Sequence, residues 1–269
     1  MLTTAELLQT MDVAKEAARR GAAVLQEWRS RFQVREKARF DLVTEADLGS
    51  QKAIYDHLRL RFPQHDCLGE EDAGPRSRPG QDAPPTWIVD PLDGTTNYVH
   101  DCPLYCVSIG LQVAGELVVG VVYDPPRQEM FAAAHGHGAW LNDQRLRTSS
   151  ASSLDQALLA TGFPPDVRGQ ELTLGWWRHF SLRTRSLRRT GSTALNMAYV
   201  AAGRFDGYFA FDNHVWDVAG AAVLVREAGG TLSNIDGSPY DPYTPDALVS
   251  NGPLHPMLLE QFRTLAGTS

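Results

Sequence analysis

The sequence predicts a layered α/β protein, and three observations carry that expectation. The chain opens with apolar residues at helical spacing. Residues 104–135 then alternate β-rich runs with turn signals. From about residue 155 onward, strand-like runs alternate with helical patterns. A length of 269 residues, 43% hydrophobic and 21% charged, suffices for one large unit or two subdomains.

Thr3 and Glu6 have the spacing of a capping box, and Leu8, Met11, Ala18, Ala22, Leu25 and Trp28 recur near helical spacing. Residues 4–28 are therefore expected as one amphipathic helix. A second helix runs from about Ala46 to Leu60 and ends at "RFPQHD", where the proline stops it. The segment "GPRSRPGQDAPP" (74–85) reads as a loop, being rich in proline and glycine and poor in apolar residues. Trp87 to Val89 begin a buried strand that delivers Asp90. Within 104–135, "AGE" and "DPPRQ" mark the reversals of an antiparallel meander, near Gly115 and Pro125–Pro126. The second half then reads as strand "ALLATGF", helix 169–182, strand "SLRRTG", helix 192–203, strand "FDGYFAF", helix 215–228, and strands "GTLSN" and "ALVSN". A boundary near residue 150 divides the chain, residues 1–269, into two halves of one body, with nothing like a flexible linker between them.

Composition excludes several roles. A formal charge of −7 and a pI near 5.6 disfavour a non-specific nucleic-acid binder, which needs a basic footprint. The arginine-rich stretch 178–191 is a local exception and reads first as a solvated helix-to-strand connection. Cys67, Cys102 and Cys106 are odd in number and lack zinc-finger spacing, so reduced thiols and a cytoplasmic location are expected. No run approaches the roughly 20 apolar residues needed to span a bilayer. The N-terminal stretch lacks the apolar core of a signal peptide.

The chemistry concentrates in "WIVDPLDGTTNY" (87–98). Pro91 and the restriction it imposes on its predecessor turn the chain sharply, so Asp90 and Asp93 can point into one space. Two adjacent carboxylates repel unless a cation lies between them, and an all-oxygen ligand set suits magnesium better than zinc. Gly94 lets backbone approach a ligand, and Thr95 and Thr96 add N–H and hydroxyl donors at a helix start, a good setting for a phosphate oxygen. Taken alone, the same residues are also ordinary turn chemistry.

Three further acidic clusters add weight. "CLGEED" (67–72) places Glu70, Glu71 and Asp72 at a strand end. "DLVTEADLGS" (41–50) holds Asp41, Thr44 and Asp47, the last at the start of the second helix. "HVWDVAGAAVLVREAGG" (214–230) is an apolar helix with one acid, Asp217, in its first turn, followed by small residues that permit close packing. Asp47 and Asp217 each also suit a first-turn acid favoured by the helix dipole.

In order and spacing, "DLVTEAD", "GEED", "WIVDPLDGTTNYVH" and "WDVAGAAVLVREAGG" resemble the inositol monophosphatase family of magnesium-dependent, lithium-sensitive phosphatases. The first and last helices fit as well, so the likeness covers essentially the whole chain. The resemblance implies the α-β-α-β-α sugar-phosphatase fold and a homodimer acting on a small phosphorylated metabolite, away from membranes. By position it implies that Glu70, Asp90 and the Leu92 carbonyl hold a first magnesium. Asp90, Asp93 and Asp217 would hold a second, and a weaker third would lie near Glu70. Thr95 and Asp47, with Glu70 beside them, would orient and deprotonate the attacking water. Phosphate would lie across the metals and the Gly94 and Thr95 amides, within reach of Asp93 and Asp217. Gly191, Ser192 and Thr193 fall at the alcohol side, and His100 and His214 read as supporting residues.

Two positions depart from the family pattern. A frequent lysine is replaced by Glu36, with Lys37 adjacent. A frequent substrate-binding glutamate is replaced by Ala210, leaving Asp212 as the nearest acid. A missing hydroxyl acceptor shifts selectivity between polyols. The resemblance makes inositol-1-monophosphate the first expectation, and Ala210 sets beside it sister specificities for fructose 1,6-bisphosphate, histidinol phosphate, a 3′-phosphonucleotide or NADP. An expectation of another class is a regulatory or RNA-machinery protein that retains the fold and uses the arginines of 178–189.

Overall fold

The structure is a computed structural model that describes residues 2–29, 31, 33–38, 41–72, 78–164, 166–168 and 170–266, with backbone alone at 36–38, 41–42 and 265–266. The side chains of Glu36, Lys37 and Asp41, residues 74–77 of the expected loop and position 169 of an expected helix lie outside the described residues.

Helix α1 (Thr4–Trp28) starts where the sequence places it: the Thr3 N–H donates to the Glu6 carboxylate at 2.7 Å, and the Glu6 N–H donates back to the Thr3 hydroxyl. Strands β1 (Val34–Ala38) and β2 (Asp41–Thr44) form an antiparallel pair that the sequence reading does not anticipate. Helix α2 (Glu45–Arg61) follows, capped by Thr44. Next come β3 (Asp66–Gly69), β4 (Thr86–Asp93), the short helix α3 (Thr95–Val99), and strands β5 (Cys106–Val113), β6 (Glu116–Asp124) and β7 (Glu129–Ala134). The expected meander is β5 to β7, and it continues into β8 (Ala139–Leu141) and β9 (Gln144–Arg145). These seven strands form one sheet in the order β3-β4-β5-β6-β7-β8-β9, parallel only between β3 and β4.

The second half supplies β10 (Leu158–Thr161), α4 (Glu171–Ser181), β11 (Ser186–Arg188), α5 (Thr193–Ala201), β12 (Gly207–Ala210), α6 (Val215–Glu227), β13 (Thr231–Ser233), β14 (Ala247–Ser250) and α7 (His255–Ala266). Its five strands are ordered β11-β10-β12-β14-β13. The expected strands are shorter than read: "SLRRTG" leaves the ladder after Arg188, and "FDGYFAF" is paired only over Gly207–Ala210.

Side-chain alternation along the strands builds the layers. On the first sheet, Trp87, Val89, Val107, Ile109, Val119 and Val121 pack with α1 and α2, while Ile88, Cys106 and Val122 face the central core. That core also contains α5 and α6 together with Ala160, Tyr208, Ala210 and Val249 of the second sheet. The second sheet turns Leu159, Phe209 and Leu248 the other way, against Trp176 and Phe180 of α4 and Leu258 and Phe262 of α7. The result is the α-β-α-β-α order.

Close approach of α6 to the first sheet fixes one wall of the site. A Cβ on Gly120 would lie 2.0 Å from the Gly220 carbonyl, and one on Gly110 would lie 2.8 Å from the Ala219 Cβ. Only glycine lets helix and sheet meet this closely.

Candidate active site

Eight consecutive residues of β4 are buried. The strand pairs with β5 through Asp90 opposite Ser108, slips register, and resumes with Asp93 opposite Cys106. The sequence reading ends the strand at Asp90. In the structure Pro91 and Leu92 instead form a bulge inside it, a device that re-aims side chains. The Leu92 N–H donates to Asp90 Oδ1 at 3.0 Å, and Ser50 of α2 donates to the Pro91 carbonyl at 3.0 Å, so the bulge is held from two sides.

Asp47 and Thr95 meet although 48 residues separate them. Asp47 is 1% exposed, and its Oδ2 accepts the Thr44 N–H at 2.9 Å and the Thr44 hydroxyl at 2.6 Å. Its Oδ1 lies 3.2 Å from the Thr95 hydroxyl, which is also 3.1 Å from the Leu92 carbonyl. Asp47 is thus both a helix-capping acid and a partner for Thr95; the two readings of it coincide.

Gly94 caps α3 at φ +97°, where a side chain would be strained and a Cβ would sit 2.9 Å from the Leu104 carbonyl and 3.3 Å from the Gly191 carbonyl. Asn97 crosses to the second half, donating to the carbonyls of Leu104 at 2.6 Å and Thr190 at 2.8 Å. Behind α3, the Tyr98 hydroxyl donates to the Leu25 carbonyl at 2.6 Å, and Arg29 pairs with Asp101 at 3.0 Å, so α1 backs the turn.

Asp93 sits at the N-terminus of α5. Its carboxylate accepts the Ser192 hydroxyl at 2.5 Å and the N–H groups of Ala194 at 2.7 Å and Thr193 at 3.1 Å, with the Cys106 thiol 3.6 Å away. Ser192 and Thr193 are therefore tied to Asp93 itself, and the Thr193 hydroxyl also lies 2.9 Å from the Tyr208 hydroxyl.

Asp217 occupies the first turn of α6, accepts the His214 N–H at 2.7 Å and keeps 22% of its side chain exposed. His214 stacks on Trp216 at 4.7 Å, and His100 caps the end of α3. In the "GEED" cluster the acids divide. The Glu70 N–H donates to the Val89 carbonyl at 3.1 Å, which sets Glu70 beside the middle of β4, next to Asp90. Asp72 turns to α2 instead, accepting Gln51 at 3.0 Å, Tyr55 at 2.9 Å and the Gly69 N–H at 2.7 Å.

Electrostatics link the four remaining acids. Burial pushes the Asp90 carboxyl well up, and the negative charges of Glu70, Asp93 and Asp217 push it further. Burial likewise raises Asp217 against the lowering effect of the His214 N–H, with Glu70, Asp93 and Asp212 adding to the rise. Burial raises Asp93 to about 6, opposed by hydrogen bonds from Ser192, Ala194, Thr193 and Cys106. Among the described residues, no three His, Cys, Asp or Glu side chains already stand at metal-holding geometry. The acids are within electrostatic reach of one another and each raises the cost of ionising its neighbour, which is the imbalance a bound dication removes.

Ser50, Asn97 and Ser108 carry no sequence signal as site residues. Ser108 sits cross-strand from Asp90 with its hydroxyl buried and without a hydrogen-bond partner among the described residues. Its only trace in the sequence is a polar residue inside the apolar run "CVSIGL". A cleft of about 860 Å³ beside α1, lined by Leu8, Met11, Lys15, Met130 and Trp140 among others, contains none of the candidate acids.

A model of the inositol monophosphatase family matches residues 6–266. Inositol monophosphatase 3 of Solanum lycopersicum is 44% identical over 237 residues, spanning 87% of this chain and 88% of that protein. Nus factor SuhB of Pseudomonas aeruginosa is 44% identical over 208 residues, 76% of each. The solved structure of inositol monophosphatase from Anabaena (Nostoc) sp. PCC 7120 superposes with a TM-score of 0.86 at 37% identity, covering 96% of both chains.

Proposed function

The chain belongs to the inositol monophosphatase family, and on that premise we propose that it hydrolyses inositol-1-monophosphate, or a closely similar polyol monophosphate, by attack of an activated water. It is a phosphoric monoester hydrolase acting on small phosphorylated polyols or sugars, and its family identity implies dependence on magnesium. The observation that carries the assignment of the site is the electrostatic coupling of Asp90 to Glu70, Asp93 and Asp217, acids from three separate segments.

The donor set fits a hard cation, because every candidate ligand is an oxygen and Asp90 is buried among like charges. Glu70, Asp90 and the Leu92 carbonyl would hold one ion; Asp90, Asp93 and Asp217 would hold a second, with a weaker third near Glu70. Bound magnesium would supply Lewis acidity at the phosphoryl oxygens and a water acidic enough to attack at neutral pH. The protein supplies the rest. The Thr95 hydroxyl, 3.2 Å from Asp47 Oδ1, receives the proton of the attacking water as it passes its own proton to Asp47. Such general-base assistance contributes about 10²- to 10⁴-fold. The two Thr44 hydrogen bonds hold the second Asp47 oxygen and so aim the first. The Gly94 and Thr95 N–H groups would receive the phosphate, and Gly191, Ser192 and Thr193 would border the departing alcohol. Two copies of the chain form the working unit, in a reducing, cytoplasmic setting consistent with three free thiols.

Phosphate release from myo-inositol 1-phosphate, followed with and without magnesium, tests this reading. Turnover should require magnesium, fall with lithium, and drop at least about 100-fold in Asp90→Asn, the scale of losing an electrostatic contact made to the transition state. Undiminished turnover of Asp90→Asn at equal magnesium would overturn the site assignment.

The sister specificities rest on Ala210, which is 1% exposed and offers no polar atom to a substrate hydroxyl. The regulatory alternative rests on the exposed Arg185, Arg188 and Arg189 and on the name Nus factor SuhB that several relatives carry. The acids around Asp90 favour the hydrolase, since a scaffold has no use for buried carboxylates that repel one another.

A further inference from the structure

Asp212 stands apart from the other acids near the site. It lies in the turn between β12 and α6, two residues after Ala210 and five before Asp217. Its φ is +62°, a left-handed conformation that only glycine adopts without cost and that asparagine and aspartate tolerate best of the rest. The turn is pinned rather than loose: the Asn213 N–H and side-chain amide both donate to the Pro245 carbonyl, at 2.7 Å and 3.2 Å. Asp212 is exposed and, among the described residues, has no hydrogen-bond or ion-pair partner. Every other acid near the site is engaged. Asp47 is held by Thr44, Asp93 by α5, Asp217 by His214, and Asp72 by α2.

The direction of this turn is set by its neighbours. Tyr208 and Ala210 share the β12 face that belongs to the central core, and the Tyr208 hydroxyl lies 2.9 Å from the Thr193 hydroxyl at the start of α5. Continuing past Ala210, the chain leads directly into α6, whose first turn carries Asp217. Asp212 is close enough to Asp217 for its charge to add to the rise of that carboxyl. A pinned turn therefore holds one uncommitted carboxylate within electrostatic reach of Asp217, beside Ala210 and Gly162, which are small and apolar. A Cβ on Gly162 would lie 3.1 Å from that of Ala210.

We propose that Asp212 is the specificity-determining residue for the leaving alcohol: its carboxylate accepts hydroxyl hydrogens of a neutral polyol and repels an alcohol that carries a second anionic group. The inference rests on the hydrolase reading above and deepens it, because it selects polyol monophosphates over bisphosphates and nucleotides at the same site. A hydroxyl donating to a carboxylate makes a charge-assisted hydrogen bond, stronger than a neutral one. The same charge placed near a second phosphate costs binding, so attraction and exclusion come from one group.

The test compares kcat/KM of the wild-type protein, Asp212→Gly and Asp212→Asn at saturating magnesium. The substrates are myo-inositol 1-phosphate, fructose 1,6-bisphosphate and p-nitrophenyl phosphate, whose leaving group has neither hydroxyl nor charge to read. Glycine removes the carboxylate without straining the positive φ. Asp212→Gly should lose about 10- to 100-fold on inositol 1-phosphate, mainly through KM, and leave p-nitrophenyl phosphate unchanged. Asp212→Asn keeps a hydrogen-bonding group and should recover much of the inositol loss. Both variants should gain on the bisphosphate relative to inositol 1-phosphate. An equal loss on all three substrates would overturn the proposal by assigning Asp212 to the support of Asp217. No change on any would overturn it as well. A wild-type protein that hydrolyses p-nitrophenyl phosphate but shows no Asp212 dependence sinks only this inference, whereas one inactive on all three substrates sinks the hydrolase reading itself.

Discussion

The Asp93 carboxylate accepts from four donors and is still raised to about 6, because burial outweighs all four. The consequence for stability has a definite sign. The folded carboxyl holds a proton up to about pH 6, whereas in the unfolded chain it ionises near its ordinary value of about 3.9. Between those values the folded state binds more protons, so metal-free protein loses stability as pH rises through the window. Asp90 and Asp217, also raised, act in the same direction. A dication must displace those protons, so magnesium should raise the melting temperature little at about pH 5 and clearly at about pH 8. Thermal melts with and without magnesium at both values check this; equal stabilisation at both would contradict it. At this scale the sequence is informative about Glu70, Asp90, Asp93 and Asp217, since an acid ending an apolar run is conspicuous. It is silent about Ser50, Asn97 and Ser108, whose contributions come from partners 41, 93 and 18 positions away.

Among the elements, α6 shows how packing sets chemistry. Asp217 reaches the other acids because Gly110, Gly120 and Gly220 let the helix lie against the sheet, with a hypothetical Gly220 Cβ only 2.7 Å from the Ser108 hydroxyl and 2.9 Å from the Val121 carbonyl. Gly120→Ala should therefore destabilise by about 1–3 kcal/mol, the usual cost of overpacking, and weaken magnesium binding by displacing Asp217. Gly80→Ala, with open space around it, should stay within about 0.5 kcal/mol. Urea unfolding of both variants measures the difference, and a Gly120→Ala protein as stable as the parent would refute the close approach. Helices α1, α2, α5 and α6 are legible in the sequence through apolar spacing and caps. The pair β1–β2 is not, because "VREKARFDLVT" has neither clean alternation nor a glycine turn. Strands β8 and β9 are too short to produce a pattern. The continuation of β4 to Asp93 is hidden by Pro91, which reads as a strand end and is accommodated by a bulge.

Across the whole molecule, the candidate site lies where the two halves of the chain share one core. Glu70, Asp90 and Asp93 come from the seven-stranded sheet and its edges; Ser192 caps α5, Asp212 lies in the turn before α6, and Asp217 in the first turn of α6. Ile88, Cys106 and Val122 of the first sheet pack in the same cluster as Leu195, Tyr208 and Trp216. The alternation of strands and helices makes the fold class readable from sequence. The five-layer stacking is readable only through the family likeness, since no periodicity says which sheet face meets which helix. The proposed hydrolysis requires that chain segments far apart in sequence converge on bound dications. The most direct measurement is an anomalous difference map from crystals soaked in manganese, a stand-in for magnesium with the same preference for oxygen ligands. Two peaks about 3.5–4 Å apart are expected, both within reach of Asp90, one beside Glu70 and the other beside Asp93 and Asp217. Manganese bound only elsewhere on the protein, with the Asp90 carboxylate uncoordinated, would contradict that proposal.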